Sequence, residues 1–351
     1  MGSVSGLSAK QLQRVRGRLV EFAGEMFESM VRRDQRRWGE VYLRGLMLDG
    51  RRKSIEPIAT RLEDGDEQCL QQFVNQSPWD WGPVRRALAR RVCTEIAPAA
   101  WVIDDTGFPK QGRMSVGVAR QYCGALGKVG NCQIGVSVNA VSDEASCPVD
   151  WRLFMPEEWD SDAERRAKAH VPDDVRHVPK WQLALDMLDE LIAWGLLPAP
   201  VSTDAGYGEI TEFRQGLEDR ELHYVVQVKA ATSAFAEDVR PANEQLRRRA
   251  HQTDTELPVR WLLAEWPQGA EEPIKYWLSN LPADTSPAHL VGLAKIRWRI
   301  EHDYRELKDA LGLDHFEGRS YRGWQHHVTL VSVAHAFLTL ERRRPRLRAA
   351  A

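Results

Sequence analysis

The sequence has 351 residues, long enough for one large domain or two to three smaller ones. Its content of 43% hydrophobic and 28% charged residues is ordinary for a globular protein. No apolar run approaches the roughly 18 residues that a membrane span needs, which excludes a membrane protein. A formal net charge of −2 gives by itself no sign of nucleic-acid binding.

The cysteines and the N-terminal residues indicate the cellular compartment in which the protein is expected. The five cysteines have no C-x-x-C spacing, which argues against a zinc site or a disulfide framework. A secretion signal requires a charged segment followed by an apolar stretch, and the N-terminal residues lack this pattern. We therefore expect a cytoplasmic protein with reduced thiols.

The N-terminal quarter is predicted to be helical and basic. Apolar residues recur at three- and four-residue steps in residues 8–48, and a second helical group covers 54–91. Residues 1–60 carry twelve Lys/Arg against seven Asp/Glu, and residues 291–351 have the same excess. Basic ends could bind a polyanion while the acidic middle binds metal, although such charge runs also occur on solvated surfaces.

From Trp101 the pattern becomes that of an α/β protein. Strands are predicted at 101–104, 114–122, 133–141, 201–203 and 223–229, with an extended piece at 148–155. Helices are predicted at 181–194 and 209–219. Three sequential strands followed by alternating helix and strand indicate a mixed sheet with helices on its faces.

Residues 230–285 interrupt this alternation. A helix at 243–250 and two strand-like segments, 259–266 and 274–281, predict a β-rich inserted subdomain. The chain then continues in two predicted helices, 287–311 and 324–344.

Two acidic residues follow predicted strands that lie far apart in the sequence. Asp104 ends strand 101–104, and Asp204 follows strand 201–203. Because ligands gather beyond the carboxyl ends of strands in such sheets, these carboxylates can meet. Asp105 competes with Asp104, but side chains alternate along a strand, so only one of the two reaches a shared site.

A third acidic residue, Glu301, lies in a predicted helix among cations. Arg297, Glu301, Arg305 and Lys308 are spaced by four, four and three residues, which places them on one helical face. Together with the two aspartates, Glu301 could hold a pair of Mg²⁺ ions, and the cations could hold phosphates. Spacing alone favours a simpler interpretation, a surface helix stabilised by ion pairs.

Several sequence blocks resemble the bacterial insertion-sequence transposases of the DDE superfamily. Arg297, Glu301 and Lys308 match the Tyr-x2-Arg-x3-Glu-x6-Lys signature of one branch, whereas Ala294 stands at the tyrosine position. Asp104-Asp105-Thr106 resembles the first Asp-x-Thr block, which selects Asp104 over Asp105. Asp204-Ala-Gly-Tyr-Gly resembles the second block. The order and separation of the blocks are also similar to those of the family.

The resemblance implies an RNase H-like mixed five-stranded sheet with flanking helices. It implies a helical DNA-binding region at 1–95, a catalytic core at 96–229 and 286–351, and a β-rich insertion at 230–285. Asp104, Asp204 and Glu301 would bind two Mg²⁺ ions, with Mn²⁺ as a substitute, and Arg297, Arg305 and Lys308 would bind DNA phosphates.

The activity implied is cleavage of double-stranded DNA at the element's terminal repeats, followed by 3′-OH strand transfer into target DNA. Two element ends imply a homodimer in the DNA complex, without membrane association, on nucleoid DNA in the cytoplasm. One alternative is a catalytically inactive relative that keeps DNA binding. A glycosidase with two catalytic carboxylates is another, and it would need neither divalent metal nor Arg297 and Lys308.

Overall fold

A mixed β-sheet lies at the centre of the molecule, with helices on both of its faces. The computed structural model describes residues 8–233 and 259–344. Its strands are β1 (Ala100–Pro109), β2 (Ala119–Cys123), β3 (Lys128–Val141), β4 (Ser146–Leu153), β5 (Val201–Thr203), β6 (Tyr224–Val228), β7 (Trp261–Glu265) and β8 (Lys275–Ser279).

The helices of the described residues surround this sheet. They are α1 (Ala9–Met26), α2 (Arg33–Met47), α3 (Ile55–Arg61), α4 (Glu67–Asn75), α5 (Trp81–Ile96), α6 (Ala163–Lys168), α7 (Lys180–Ala193), α8 (Ala205–Gly208), α9 (Thr211–Glu218), α10 (Pro287–Lys295), α11 (Trp298–Asp309) and α12 (Tyr321–Arg343). None of these helices is long and apolar enough to span a bilayer.

The strand order places β1 and β5 side by side. The sheet runs β2-β3-β1-β5-β6-β8-β7, and β4 pairs with β3. Strands β1, β5 and β6 are parallel neighbours, whereas β3 is antiparallel to β1, and β4 to β3. The predicted mixed α/β sheet with flanking helices is therefore confirmed, and the arrangement is consistent with an RNase H-like fold.

Within the described residues the sheet has eight strands, whereas five were predicted. The long strand β3 accommodates both β2 and β4, the second of which was predicted only as an extended piece. Strands β8 and β7, from the predicted insertion, pair in turn beyond β6 and so extend the same sheet. The predicted helix 243–250 lies outside the described residues.

Alternation along β1 separates two apolar cores. Trp101 and Ile103 face the larger core with α5, α7 and α12, while Ala100 and Val102 face a smaller core with α10 and α11. Asp104 follows on the side of α11 and Asp105 on the side of α7, as shown by their ion-pair partners below.

The N-terminal helices share the larger core with the sheet. Helix α1 starts with a capping box in which Ser8 and Gln11 bond each other's backbone N–H groups. Asp80 caps α5 by accepting a hydrogen bond from the Gly82 N–H. Leu43 and Leu88 from these helices pack in one continuous cluster with Val331 of α12. DNA binding by residues 1–95 stays a prediction.

The prediction of a single helix at 287–311 is wrong. The chain forms two helices there, α10 and α11, with a break at Ile296 and Arg297. Here N–H groups bond three residues back instead of four, from Ile296 to Leu293, Arg299 to Ile296 and Ile300 to Arg297. Such tightened turns change the rotation of the side chains that follow. Arg297 therefore precedes the helix that carries Glu301, Arg305 and Lys308, and the four residues do not share one face of a continuous helix.

Candidate active site

Asp104 and Asp204 lie next to each other where the pairing of β1 and β5 ends. The last paired residues of these parallel strands are Ile103 and Thr203, and each aspartate comes directly after one of them. Neighbouring strands are about 4.8 Å apart, so the two carboxylates share one small region. Strand β1 continues to Pro109, so Asp104 lies mid-strand and not at the predicted strand end.

The carboxyl group of Asp104 is buried against the sheet. Only 8% of the residue is exposed, and its Oδ1 accepts a hydrogen bond of 2.9 Å from the Asp105 N–H. Burial raises the pKa of Asp104 to about 7; Arg297 opposes this rise, and Asp204 and Asp105 add to it. In the protein without metal, this carboxyl group therefore holds its negative charge poorly.

Asp204 is held by the turn that it begins. Its Oδ1 accepts a hydrogen bond of 2.9 Å from the Gly206 N–H, while Oδ2 points towards Arg297. Glycine is required at 208, where a Cβ atom would lie 2.0 Å from the Gln227 carbonyl oxygen. The short helix α8 thus packs closely on β6 and fixes the backbone that carries Asp204.

The Arg297 guanidinium joins all three predicted acidic residues. Its Nη2 lies 3.4 Å from Asp104 Oδ2 and 3.7 Å from Asp204 Oδ2. Its Nη1 donates a hydrogen bond of 3.0 Å to Glu301 Oε1, one helical turn later. Burial works against the charge of this arginine, but the three carboxylates outweigh it and raise the pKa of Arg297.

Glu301 is the most accessible of the three carboxylates. Its side chain is 64% exposed, against 12% for Asp104 and 35% for Asp204. Glu301 therefore reaches the site from the solvent side, through Arg297, while the aspartates form its floor.

The other two predicted phosphate-binding cations lie further along α11. Arg305 is exposed and forms no ion pair within the described ranges. Lys308 is half-buried, and its Nζ donates a hydrogen bond of 2.9 Å to the Gly107 carbonyl of β1. Burial lowers the pKa of Lys308. Its ammonium thus fastens α11 to the strand of Asp104, and DNA binding by both residues stays a prediction.

Sequence spacing did not indicate the residues that support the site. Lys180 lies 2.5 Å from Asp105 Oδ2 on the opposite face of β1, and the Tyr207 hydroxyl contacts the same oxygen. Tyr304 shares a hydrogen bond of 2.7 Å with Ser137, the residue paired with Asp104 across β1 and β3. The contact of the Tyr304 hydroxyl with Ser137 depends on how β1 and β3 pair, which sequence spacing does not show.

The donor set suits a hard divalent cation. Carboxylate oxygens are the protein ligands that Mg²⁺ and Mn²⁺ prefer. Among the described residues, however, no three acidic, histidine or cysteine side chains are close enough together, as placed, to hold an ion. The Arg297 guanidinium lies between the carboxylates in the position where their negative charges converge.

Comparison with known proteins identifies the family of the chain. The family model described as DDE superfamily endonuclease matches residues 25–271, and the chain therefore belongs to this family of endonucleases. The matched residues include Asp104 and Asp204 and end before Glu301. Endonucleases of this superfamily generally use divalent metal ions.

The chain is also similar to the probable transposase for insertion sequence element IS701 of Microchaete diplosiphon. The two are 23% identical over 298 residues, which cover 79% of this chain and 75% of the relative.

Proposed function

We propose that this protein is an insertion-sequence transposase that binds the ends of its element, cuts the DNA there and joins it to target DNA. The observation that carries the proposal is the convergence of Asp104, Asp204 and Glu301, from three distant parts of the chain, on a single cation position. Membership of the endonuclease family and similarity to a probable transposase support it.

The three carboxylates would hold the metal, with Asp104 and Asp204 on the sheet and Glu301 at the solvent side. When bound, two divalent ions would activate the attacking water or 3′-OH and stabilise the leaving oxygen of the phosphodiester. The buried Asp104 carboxyl group would gain a permanent charge partner, which favours its ionised form. Mg²⁺ would be the natural ion and Mn²⁺ a substitute.

The positive side chains of α11 would position the DNA strand. Arg305 is free to approach a phosphate from the exposed face of the helix, and Arg297 offers a planar guanidinium that can bind phosphate through two N–H groups. Lys308 would act from its contact with β1, beside the strand that carries Asp104. The substrate would be double-stranded DNA with the element's terminal repeats.

Strand transfer by the freed 3′-OH would use the same carboxylates in a second step. Bringing two element ends together would require a homodimer in the DNA complex. Such a protein would act on the nucleoid, in the cytoplasm of a bacterium.

The test is nicking and strand transfer on DNA that contains the ends of the protein's own element, with and without Mg²⁺. We expect activity only with divalent metal, and its loss in Asp204→Ala with DNA binding intact. The matched control is Asp143→Ala, which removes an exposed aspartate in the turn between β3 and β4.

Metal-dependent cleavage by the wild type and by Asp143→Ala, but not by Asp204→Ala, would support the transposase. DNA binding without cleavage under any metal condition would instead indicate the inactive relative, which Ala294 at the signature tyrosine position and the near-neutral net charge favour. Ala294 is buried beside Leu290 and Leu293 and has no polar group to offer to DNA.

A further inference from the structure

Arg297 has no polar partner for its side chain, among the described residues, other than the three carboxylates. Its Nη atoms contact Asp104, Asp204 and Glu301, and its buried Nε has no hydrogen-bond partner. No backbone carbonyl anchors the guanidinium within the described part of the chain. The side chain is therefore positioned by the same charges that would bind metal.

The guanidinium and a metal ion exclude each other from this position. Mg²⁺ requires carboxylate oxygens at about 2.0 to 2.1 Å, and Mn²⁺ also takes oxygen ligands. The guanidinium nitrogens already lie 3.0 to 3.7 Å from oxygens of all three carboxylates. Metal can therefore enter only if Arg297 moves, and moving it costs the protein three ion pairs.

Arg297 also lies at a break in the helical backbone and not inside a regular helix. It forms the break between α10 and α11, at the turn tightened by three-residue hydrogen bonds. Its side chain is 24% exposed, so one side already faces solvent. A DNA phosphate would offer the guanidinium a new anionic partner with two acceptor oxygens.

We infer that Arg297 is an internal counter-ion as well as a phosphate-binding residue. In the DNA-free protein its guanidinium gathers Asp104, Asp204 and Glu301 and occupies the place of the metal. When DNA arrives, a phosphate takes the guanidinium and leaves the carboxylates to divalent ions. Metal loading is thereby coupled to DNA binding. This inference rests on the proposed function, because it takes DNA and divalent metal as the ligands.

The experiment measures Mn²⁺ binding to the full chain without DNA, by calorimetry and by the loss of the free-ion EPR signal. The variants are Arg297→Gln and the matched control Arg299→Gln, which removes one positive charge two residues further on, at the start of α11. We expect Arg297→Gln to bind Mn²⁺ more tightly than the wild type by about tenfold or more, within the usual range of coupling between competing sites. Arg299→Gln should bind like the wild type.

Two further measurements locate and check the effect. Adding Asp204→Asn to Arg297→Gln should abolish the gained Mn²⁺ affinity, because it removes a ligand. Adding element-end DNA to the wild type should strengthen Mn²⁺ binding more than it does in Arg297→Gln. Circular dichroism confirms that each variant is folded.

Unchanged or weaker Mn²⁺ binding by folded Arg297→Gln would overturn the inference. The inference would also be overturned if the wild type without DNA bound Mn²⁺ tightly and Asp204→Asn abolished that binding. This second result needs no arginine variant. Either result with normal DNA cleavage by the wild type would leave the transposase proposal standing. If the wild type did not cleave DNA but Arg297→Gln bound Mn²⁺ more tightly, the proposed function would be contradicted. The role of Arg297 as a counter-ion would still be supported.

Discussion

At the scale of single residues, adjacent aspartates on one strand have separate partners. Asp104 faces Arg297 and Asp204, whereas Asp105 faces Lys180 from α7. The separation follows from alternation along β1, which the sequence predicts. The partner on each face was not predictable, because it depends on where α7 and α11 pack.

Exchanging each aspartate for asparagine tests this division. We expect Asp104→Asn to lower DNA cleavage by about a thousandfold or more, as for loss of a group on which the chemistry depends. Asp105→Asn should retain cleavage within about tenfold and lose about 1 kcal/mol or less of stability, because the partly exposed Lys180 pair is screened. The measurements are initial cleavage rates and urea unfolding. Equal loss of cleavage in both variants would show that the assignment of Asp104 is wrong.

Arg305 offers a separate test of the proposed DNA path along α11. We expect Arg305→Ala to weaken binding to all DNA sequences about equally. The slope of log affinity against log salt concentration should fall by about one, as for the loss of one phosphate contact. Its stability should change by about 0.5 kcal/mol or less, because the side chain is exposed. Fluorescence anisotropy at several salt concentrations measures both slope and affinity. An unchanged salt slope would place the DNA elsewhere.

At the scale of elements, the site depends on how α11 is fastened to β1. Lys308 donates to the Gly107 carbonyl, and the apolar residues Ile300 and Leu307 are fully buried beneath the helix. The spacing of Arg297, Glu301 and Lys308 indicated a common polar face. The break at Ile296 and Arg297 was not predictable, since no proline marks it and Gly292 lies a turn earlier.

Removing the Lys308 contact should loosen this attachment. We expect Lys308→Met to lower the free energy of unfolding by about 1 kcal/mol, because a hydrogen bond from a charged group to Gly107 is lost. Lys168→Met is the control, since Lys168 is 57% exposed and, among the described residues, pairs only with Glu164 in its own helix. Urea unfolding of both variants provides the comparison. A similar loss in the control would contradict an anchoring role for Lys308.

At the scale of the whole molecule, α12 joins the N-terminal helices to the central sheet. His327 of α12 illustrates the junction: its Nδ1 accepts from the Tyr42 hydroxyl of α2, and its Nε2 donates towards the carbonyls of Gly312 and Leu313. Periodicity predicted these helices individually. Their shared core with the sheet depends on pairings between residues far apart in the sequence, and periodicity carries no information about such pairings.

This junction should weaken in acid. Burial lowers the pKa of His327 to about 4, below the ordinary value of 6.5 for an unfolded chain. The unfolded state therefore takes up a proton first, and the free energy of unfolding falls as the pH decreases from about 6.5 to 4. We expect His327→Gln to remove up to about 3 kcal/mol of this pH dependence.

Urea unfolding at pH 7.5, 5.5 and 4.5 measures the effect. His289→Gln serves as the control, because the His289 side chain is exposed. If His327→Gln keeps the full acid dependence of the wild type, the buried neutral imidazole is not its source.

The central claim is that distant carboxylates form one metal-dependent DNA-cutting site. Its most direct test is anomalous diffraction from crystals of the protein with element-end DNA and Mn²⁺. We expect Mn²⁺ peaks bonded to carboxylate oxygens of Asp104 and Asp204, at about the 2.0 to 2.2 Å usual for such ligands, with Arg297 moved towards a phosphate. A DNA complex with Mn²⁺ bound elsewhere, and Arg297 still between the three carboxylates, would contradict the account.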